Sequence, residues 1–320
     1  MDALTNSTCH CPPKSKLITH NWTMPNSLQA GDAVPLRCVQ AIRPPVRSIG
    51  QGKQTLEFAS LSPAWHVTFS VDGKWMAVCF GAPDCCIRLY QQGMDDNWVL
   101  AATLDGIHTR TIRCVAFAPL HTEYCVLASA SFDGTVAIYE YTSPQDRSSM
   151  PSADDWECTA QLEGHDNEVK CVAWNATSTL LSTCGRDKSV WVWECALPGQ
   201  IAGNESEWEC LSVLHGHEGD VKCVVFAPSH QQWGDGDEIL LSSGYDGKIC
   251  VWAEDAGDWY CASTLQDKTT GIPPTITVWS LALAPGGVRL MSAMGDGTIQ
   301  IYKAYSREEK KNLPDYEEGR

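Results

Sequence analysis

Short segments with apolar side chains at every second position recur along the chain. RTIRCVAFAP, NEVKCVAWNA, GDVKCVVFAP and ITVWSLALAP begin at Arg110, Asn167, Gly219 and Ile276, and WHVTFSVDG from Trp65 is their counterpart. A period of two with turn residues at both ends predicts strands with one buried face. Each is followed by a second apolar run, among them VLASAS, LLSTCG, ILLSSG and RLMSAM, and then by an Asp. Five such residues, Asp84, Asp133, Asp187, Asp246 and Asp296, open the tails DCCIRLY, DGTVAIY, DKSVWVW, DGKICVW and DGTIQIY. Each tail has aliphatics three and five places on and an aromatic at six, which predicts a tight turn entering a further strand. A fourth strand is predicted where Trp98, Trp156, Trp208 and Trp259 each precede a Leu by six places, at Leu104, Leu162, Leu214 and Leu265.

The Asp residues are spaced by 49, 54, 59 and 50 positions, room for four short strands and their loops in each unit. The repeat resembles the WD40 family with lengthened connections. Gly164-His165 and Gly216-His217 resemble its GH dipeptide, and Trp193 and Trp252 its tryptophan. The resemblance implies an all-β propeller in which His, Ser or Thr, the turn Asp and the Trp form a hydrogen-bonded chain. The matching sets are His165, Thr183, Asp187, Trp193 and His217, Ser242, Asp246, Trp252, with His108, Ser129, Asp133 and Tyr139 a near match. The first unit has Phe80 where the hydroxyl residue belongs and the last has no GH pair, so those two blades are expected to be less rigid.

Charge and cysteine content alter this picture little. With 23 Lys and Arg against 39 Asp and Glu the formal charge is −16, which argues against binding nucleic-acid phosphates or an anionic membrane surface. No apolar run is long enough to cross a bilayer and Met1 to Pro12 carries no signal-like pattern, so a soluble, cytoplasmic protein is expected. The chain has 16 Cys. Cys114, Cys171 and Cys223 occupy one strand position in successive repeats, where a small apolar residue packs. Cys158, Cys210 and Cys261 each follow an outer-strand Trp by two places, which separates them by blade. Cys85-Cys86 reads as a turn. Cys9, His10, Cys11 and His20 have donor atoms without the spacing of a zinc site. No GxSxG, HExxH or Walker A segment is present, so neither a catalytic residue nor a metal ligand is expected. The residues before the turn Asp, Phe132, Arg186, Tyr245 and Gly295, fall on the rim where WD40 partners dock, and three are of hot-spot type.

The stretch LEGHDNEVKCVAWNATSTLLSTCGRDKSVWVWE, from Leu162 to Glu194, with EWECLSVL after it and SASFDG and SSGYDG in the flanking repeats, resembles the WD40 subunit of the cytosolic iron-sulfur protein assembly (Cia or Ciao) family. The resemblance implies a non-enzymatic scaffold of the targeting complex that helps deliver iron-sulfur clusters to cytosolic and nuclear apo-proteins. The implied partners are a small MIP18-family (DUF59) protein, a HEAT-repeat adaptor and the apo clients, with no cofactor held by the propeller itself. Arg186 is the first residue carried over, with Phe132 and Tyr245 beside it as partner-binding positions. A location in the cytoplasm, extending to the nucleus, is implied. The alternative reading is a general WD40 adaptor, such as a ubiquitin-ligase substrate receptor or a coat-type scaffold.

The implied organisation is a leader over residues 1–58, poorly ordered or partly strand, blades over 59–303 and a charged tail over 304–320. VPLRCVQAI (Val34 to Ile42) is the most strand-like stretch of the leader. Five blades are recognisable where the family has seven, and a shortened chain is expected over a partner-closed arc, a dimer or a five-blade ring.

Overall fold

The structure, a computed structural model, describes residues 46–49, 56–59, 62–93, 97–119, 125–141, 155–196, 207–228, 233, 237–265 and 276–305. The chain divides into two units, Met1–Ala41 and Ile42–Arg320, and every described residue belongs to the second. Cys9, His10, Cys11, His20, the stretch from Val34 to Ile42 and the tail beyond Tyr305 lie outside the described residues.

All described regular elements are strands. β1 (Val46–Ile49) and β2 (Leu56–Ala59) form an antiparallel pair. The alternating segments build five further sheets in chain order. The first blade is β3 (Ala64–Phe69), β4 (Trp75–Phe80), β5 (Ile87–Gln92) and β6 (Trp98–Leu104). The second is β7 (Ile112–Phe117), β8 (Cys125–Ser131), β9 (Val136–Tyr141) and β10 (Trp156–Leu162). The third is β11 (Val169–Trp174), β12 (Leu180–Gly185), β13 (Ser189–Ala196) and β14 (Glu207–His215). The fourth is β15 (Val221–Phe226), β16 (Glu238–Gly244), β17 (Ile249–Asp255) and β18 (Asp258–Leu265). The fifth is β19 (Val278–Leu283), β20 (Arg289–Met294) and β21 (Ile299–Lys303), three-stranded among the described residues. The WD40-type arrangement of five blades expected from the repeats is therefore the fold.

The turn Asp works because the next residue takes a left-handed backbone in every blade: Cys85 at φ 46°, Gly134 at 93°, Lys188 at 68°, Gly247 at 71° and Gly297 at 86°. Glycine does this without steric cost, which is why Asp-Gly dominates the repeats. Two registers break in the same place each time. In each inner strand the ladder skips one residue, Trp65, Arg113, Lys170, Lys222 or Trp279. In the outer strands it skips Ala101, Thr159, Leu211 and Ala262. Such a bulge bends the strand and re-aims the side chain beside it.

The core lies between blades. Ile87 and Leu89 of the first blade pack with Val115, Leu127 and Tyr139 of the second, and three further clusters join second to third, third to fourth and fourth to fifth. Inner strand packs on inner strand throughout, β3 on β7, β7 on β11, β11 on β15 and β15 on β19. Within each of the first four blades the last residue of the inner strand meets the tryptophan of the outer one: Phe69 with Trp98, Phe117 with Trp156, Trp174 with Trp208 and Phe226 with Trp259. Fully buried aliphatics such as Leu127, Leu181 and Leu241 each contribute about 1.5–3 kcal/mol.

Candidate partner-docking surface

In the third blade and again in the fourth, four side chains form a hydrogen-bonded chain. Trp193 Nε1 donates to Thr183 Oγ1 at 3.1 Å, Thr183 meets His165 Nε2 at 2.8 Å, and His165 Nδ1 meets Asp187 Oδ2 at 2.6 Å. In the fourth blade Trp252 Nε1 donates to Ser242 Oγ at 2.8 Å, Ser242 meets His217 Nε2 at 2.7 Å, and His217 Nδ1 meets Asp246 Oδ2 at 3.0 Å. An ionised carboxylate only accepts, so Nδ1 carries the proton and the hydroxyl donates to Nε2. Every polar group of the chain then has a partner, which buried groups require. The second blade repeats the pattern with His108, Ser129 and Asp133 and puts the Tyr139 hydroxyl on Ser129. Burial works against charge on Asp133, Asp187 and Asp246, but the histidine and backbone N–H donors outweigh it and hold each carboxyl below its ordinary range. The first blade solves the problem differently. Arg88 bonds Asp84 Oδ2 at 2.9 Å and lies 4.2 Å from the centre of the Phe80 ring, so a buried guanidinium replaces the histidine. Asp296 of the fifth blade is held, among the described residues, by the Thr298 backbone and hydroxyl, with no histidine in place.

These chains anchor the turns whose preceding residues face outward. Phe132, Arg186 and Tyr245 are tied by the backbone to the residues that lead into the inner strands, their N–H groups donating to the carbonyls of Thr111, Glu168 and Asp220. The structure adds five residues that the sequence reading missed, the bulged Trp65, Arg113, Lys170, Lys222 and Trp279, each on the rim beside a neighbouring blade. Together they form one band across all five blades. Trp65 lies under the Arg113 guanidinium at 5.2 Å and beside Phe132 at 6.5 Å. Arg110 reaches from the Phe132 ring to Glu168 at 2.9 Å, and Glu168 also draws Arg186 to 3.7 Å and Lys170 to 3.8 Å. Asp220 pairs Lys170 with Lys222, and Lys222 sits 3.4 Å from the Tyr245 ring centre, with Trp279 edge-on to Tyr245 at 5.5 Å.

The two lysines share one carboxylate and divide its effect. Burial opposes charge on both, yet for Lys170 the contact with Asp220 outweighs it and the pKa rises. For Lys222 burial and the neighbouring Lys170 prevail, and its pKa falls to about 8. Arg186 stays 55% exposed and Tyr245 40%, so the band offers a guanidinium and aromatic faces to solvent, the residue types that carry interface energy. The missed residues had a signal in the sequence: each occupies the same place in its repeat, one position before His66, Cys114, Cys171, Cys223 or Ser280.

Propeller blades, the turn-Asp chain and a rim of aromatic and basic residues define a WD-repeat protein, and the WD domain, G-beta repeat family matches residues 98–140, 156–194, 208–253 and 260–303. The chain is 41% identical over 226 residues to a probable cytosolic Fe-S cluster assembly factor of Schizosaccharomyces pombe, covering 71% of this chain and 31% of that protein. It is 32% identical to the probable cytosolic iron-sulfur protein assembly protein 1 of Scheffersomyces stipitis, over 75% of this chain and 82% of that one. The counterpart of Candida glabrata is 34% identical over 75% of this chain and 79% of its own length. The chain belongs to the WD40-repeat family of cytosolic iron-sulfur protein assembly protein 1. It spans about a third of the fission-yeast relative and about half of a Chaetomium globosum one, where the share is 48%.

Proposed function

We propose that this protein is a non-enzymatic scaffold of the cytosolic iron-sulfur protein assembly targeting complex. In this reading it helps bring preformed clusters to apo-proteins of the cytosol and nucleus, and the cluster is cargo that the propeller does not itself hold. The observation that carries the reading is the continuous band of contacts from Trp65 to Trp279, with Trp65, Arg186, Tyr245 and Trp279 exposed on it, set on a family whose relatives are named cytosolic iron-sulfur assembly proteins. The proposed partners are a MIP18-family protein and a HEAT-repeat adaptor, with Arg186, Phe132 and Tyr245 at the contact. A planar guanidinium offers paired donors to a partner carboxylate, and the rings beside it exclude water.

Arg186→Glu tests the contact. The side chain is exposed and, among the described residues, approaches Glu168 at 3.7 Å, so the fold is expected to persist. Capture of the MIP18-family protein by the variant is expected to fall at least tenfold, a loss of about 1.4 kcal/mol or more. Unchanged capture by a variant with unchanged thermal stability would remove Arg186 from the interface.

A further inference from the structure

The residue after each bulge rejoins the ladder, and the five such residues are His66, Cys114, Cys171, Cys223 and Ser280, of which the first and last, on the terminal blades, are exposed. Since inner strands pack side by side, these positions form one layer rather than five separated sites. Cys114 Sγ and Cys171 Sγ are 3.9 Å apart. His66 Nδ1 lies 3.9 Å from Cys114 Sγ and 3.5 Å from the Val115 N–H that donates to it, so its one lone pair is shared between the amide and the thiol. Cys114 and Cys223 are buried, while Cys171 is partly exposed.

We propose that Cys171 and Cys114 are a peroxide-oxidisable thiol pair that closes to a disulfide joining β11 to β7, with Cys171 the attacking thiol, Cys114 the resolving thiol and His66 the proton acceptor. Three observations carry this. The sulfurs lie 3.9 Å apart on strands that pack against one another, and a bond brings them to about 2.05 Å. Cys171 is the less buried residue of the pair. An acceptor nitrogen waits at the thiol that must lose its proton second. The thiols of Cys114, Cys184 and Cys223 also donate toward Cys171 Sγ, and those donors work against the burial that disfavours its thiolate.

The oxidant is hydrogen peroxide. Cys171 first loses its proton, the thiolate attacks one peroxide oxygen, the O–O bond breaks, and the departing hydroxide takes up the proton already released to leave as water, with a sulfenic acid on Cys171. Cys114 passes its proton to His66 and attacks the Cys171 sulfur, the S–O bond breaks, and hydroxide leaves with that proton as a second water. Two thiols lose two electrons and peroxide gains them. The product staples the second blade to the third.

The test uses the full chain, reduced, treated with limited hydrogen peroxide, alkylated after unfolding and mapped by peptide mass spectrometry. The expected result is a Cys114–Cys171 linked peptide, lighter by two hydrogens than the sum of its reduced parts. In Cys114→Ala the expected product is a sulfenic acid on Cys171 that dimedone traps, and in His66→Ala the sulfenic acid forms at the native rate but the disulfide closes at least tenfold more slowly. The inference is overturned if Cys171 survives as a free thiol while the exposed Cys210 and Cys261 oxidise, or if it links to Cys223 instead. The wild-type map alone decides between these outcomes, so a variant that failed to fold would not obscure them.

Discussion

At the residue scale, the turn Asp is the most consequential single position in each repeat. Asp246 accepts from His217 Nδ1, from the Glu218 N–H at 2.8 Å and from the Lys248 N–H at 3.1 Å, so one carboxylate ties an inner-strand turn to a hairpin. Its folded pKa is depressed, as are those of Asp133 and Asp187. A depressed carboxyl contributes stability that is present above the unfolded value, near 3.9, and lost as pH falls through the folded one. The melting temperature is expected to hold near neutrality and to fall steeply below about pH 4. In Asp246→Asn the neutral value should be lower and the acid drop shallower; an acid arm as steep as the wild type's, followed by circular dichroism, would contradict the assignment. These chains were legible from the sequence because His, Ser or Thr, Asp and Trp recur at fixed offsets. The Arg88–Asp84 pair was not, because a buried guanidinium in place of a histidine breaks the repeat that made the others visible.

At the element scale, the GH dipeptide is a packing device as well as a turn. A Cβ on Gly216 would lie 2.8 Å from the Trp252 ring, which is fully buried with its Nε1 committed to Ser242. The ring cannot yield without breaking that bond. Gly216→Ala is therefore expected to destabilise the protein by about 1–3 kcal/mol, read as a lower urea midpoint. Full retention of the midpoint would mean that the blade has slack there. The strands themselves were readable from alternation, since one face of each is buried. The paired bulges were not, because an extra residue shifts the ladder while leaving the local apolar pattern almost intact. That one hidden residue per strand is what places Lys170 and Lys222 on the rim and lets Cys114 and Cys171 meet. The sequence alone placed those cysteines in separate packing positions, since sulfur-to-sulfur contact depends on how blades dock.

At the scale of the whole molecule, four apolar interfaces hold five blades in series. The second, third and fourth blades are clamped on both sides. The first and fifth contribute to one interface each among the described residues, and their remaining faces expose Val67, Phe69 and Val99 at one end and Ile299 and Ile301 at the other. Such a series behaves thermodynamically as a short zipper, in which each unit's stability is its own plus that of its neighbours' couplings. Opening from either end sacrifices one coupling, whereas opening in the middle sacrifices two. Amide hydrogen exchange should accordingly be graded, slowest at β12 and β13, intermediate in β8 and β16 and fastest in β4 and β20. Uniform protection would instead mean that all five blades open as one cooperative block. A graded zipper would leave the central RDKSVW turn, with Arg186 on it, the last part of the rim to lose its shape when the protein is stressed.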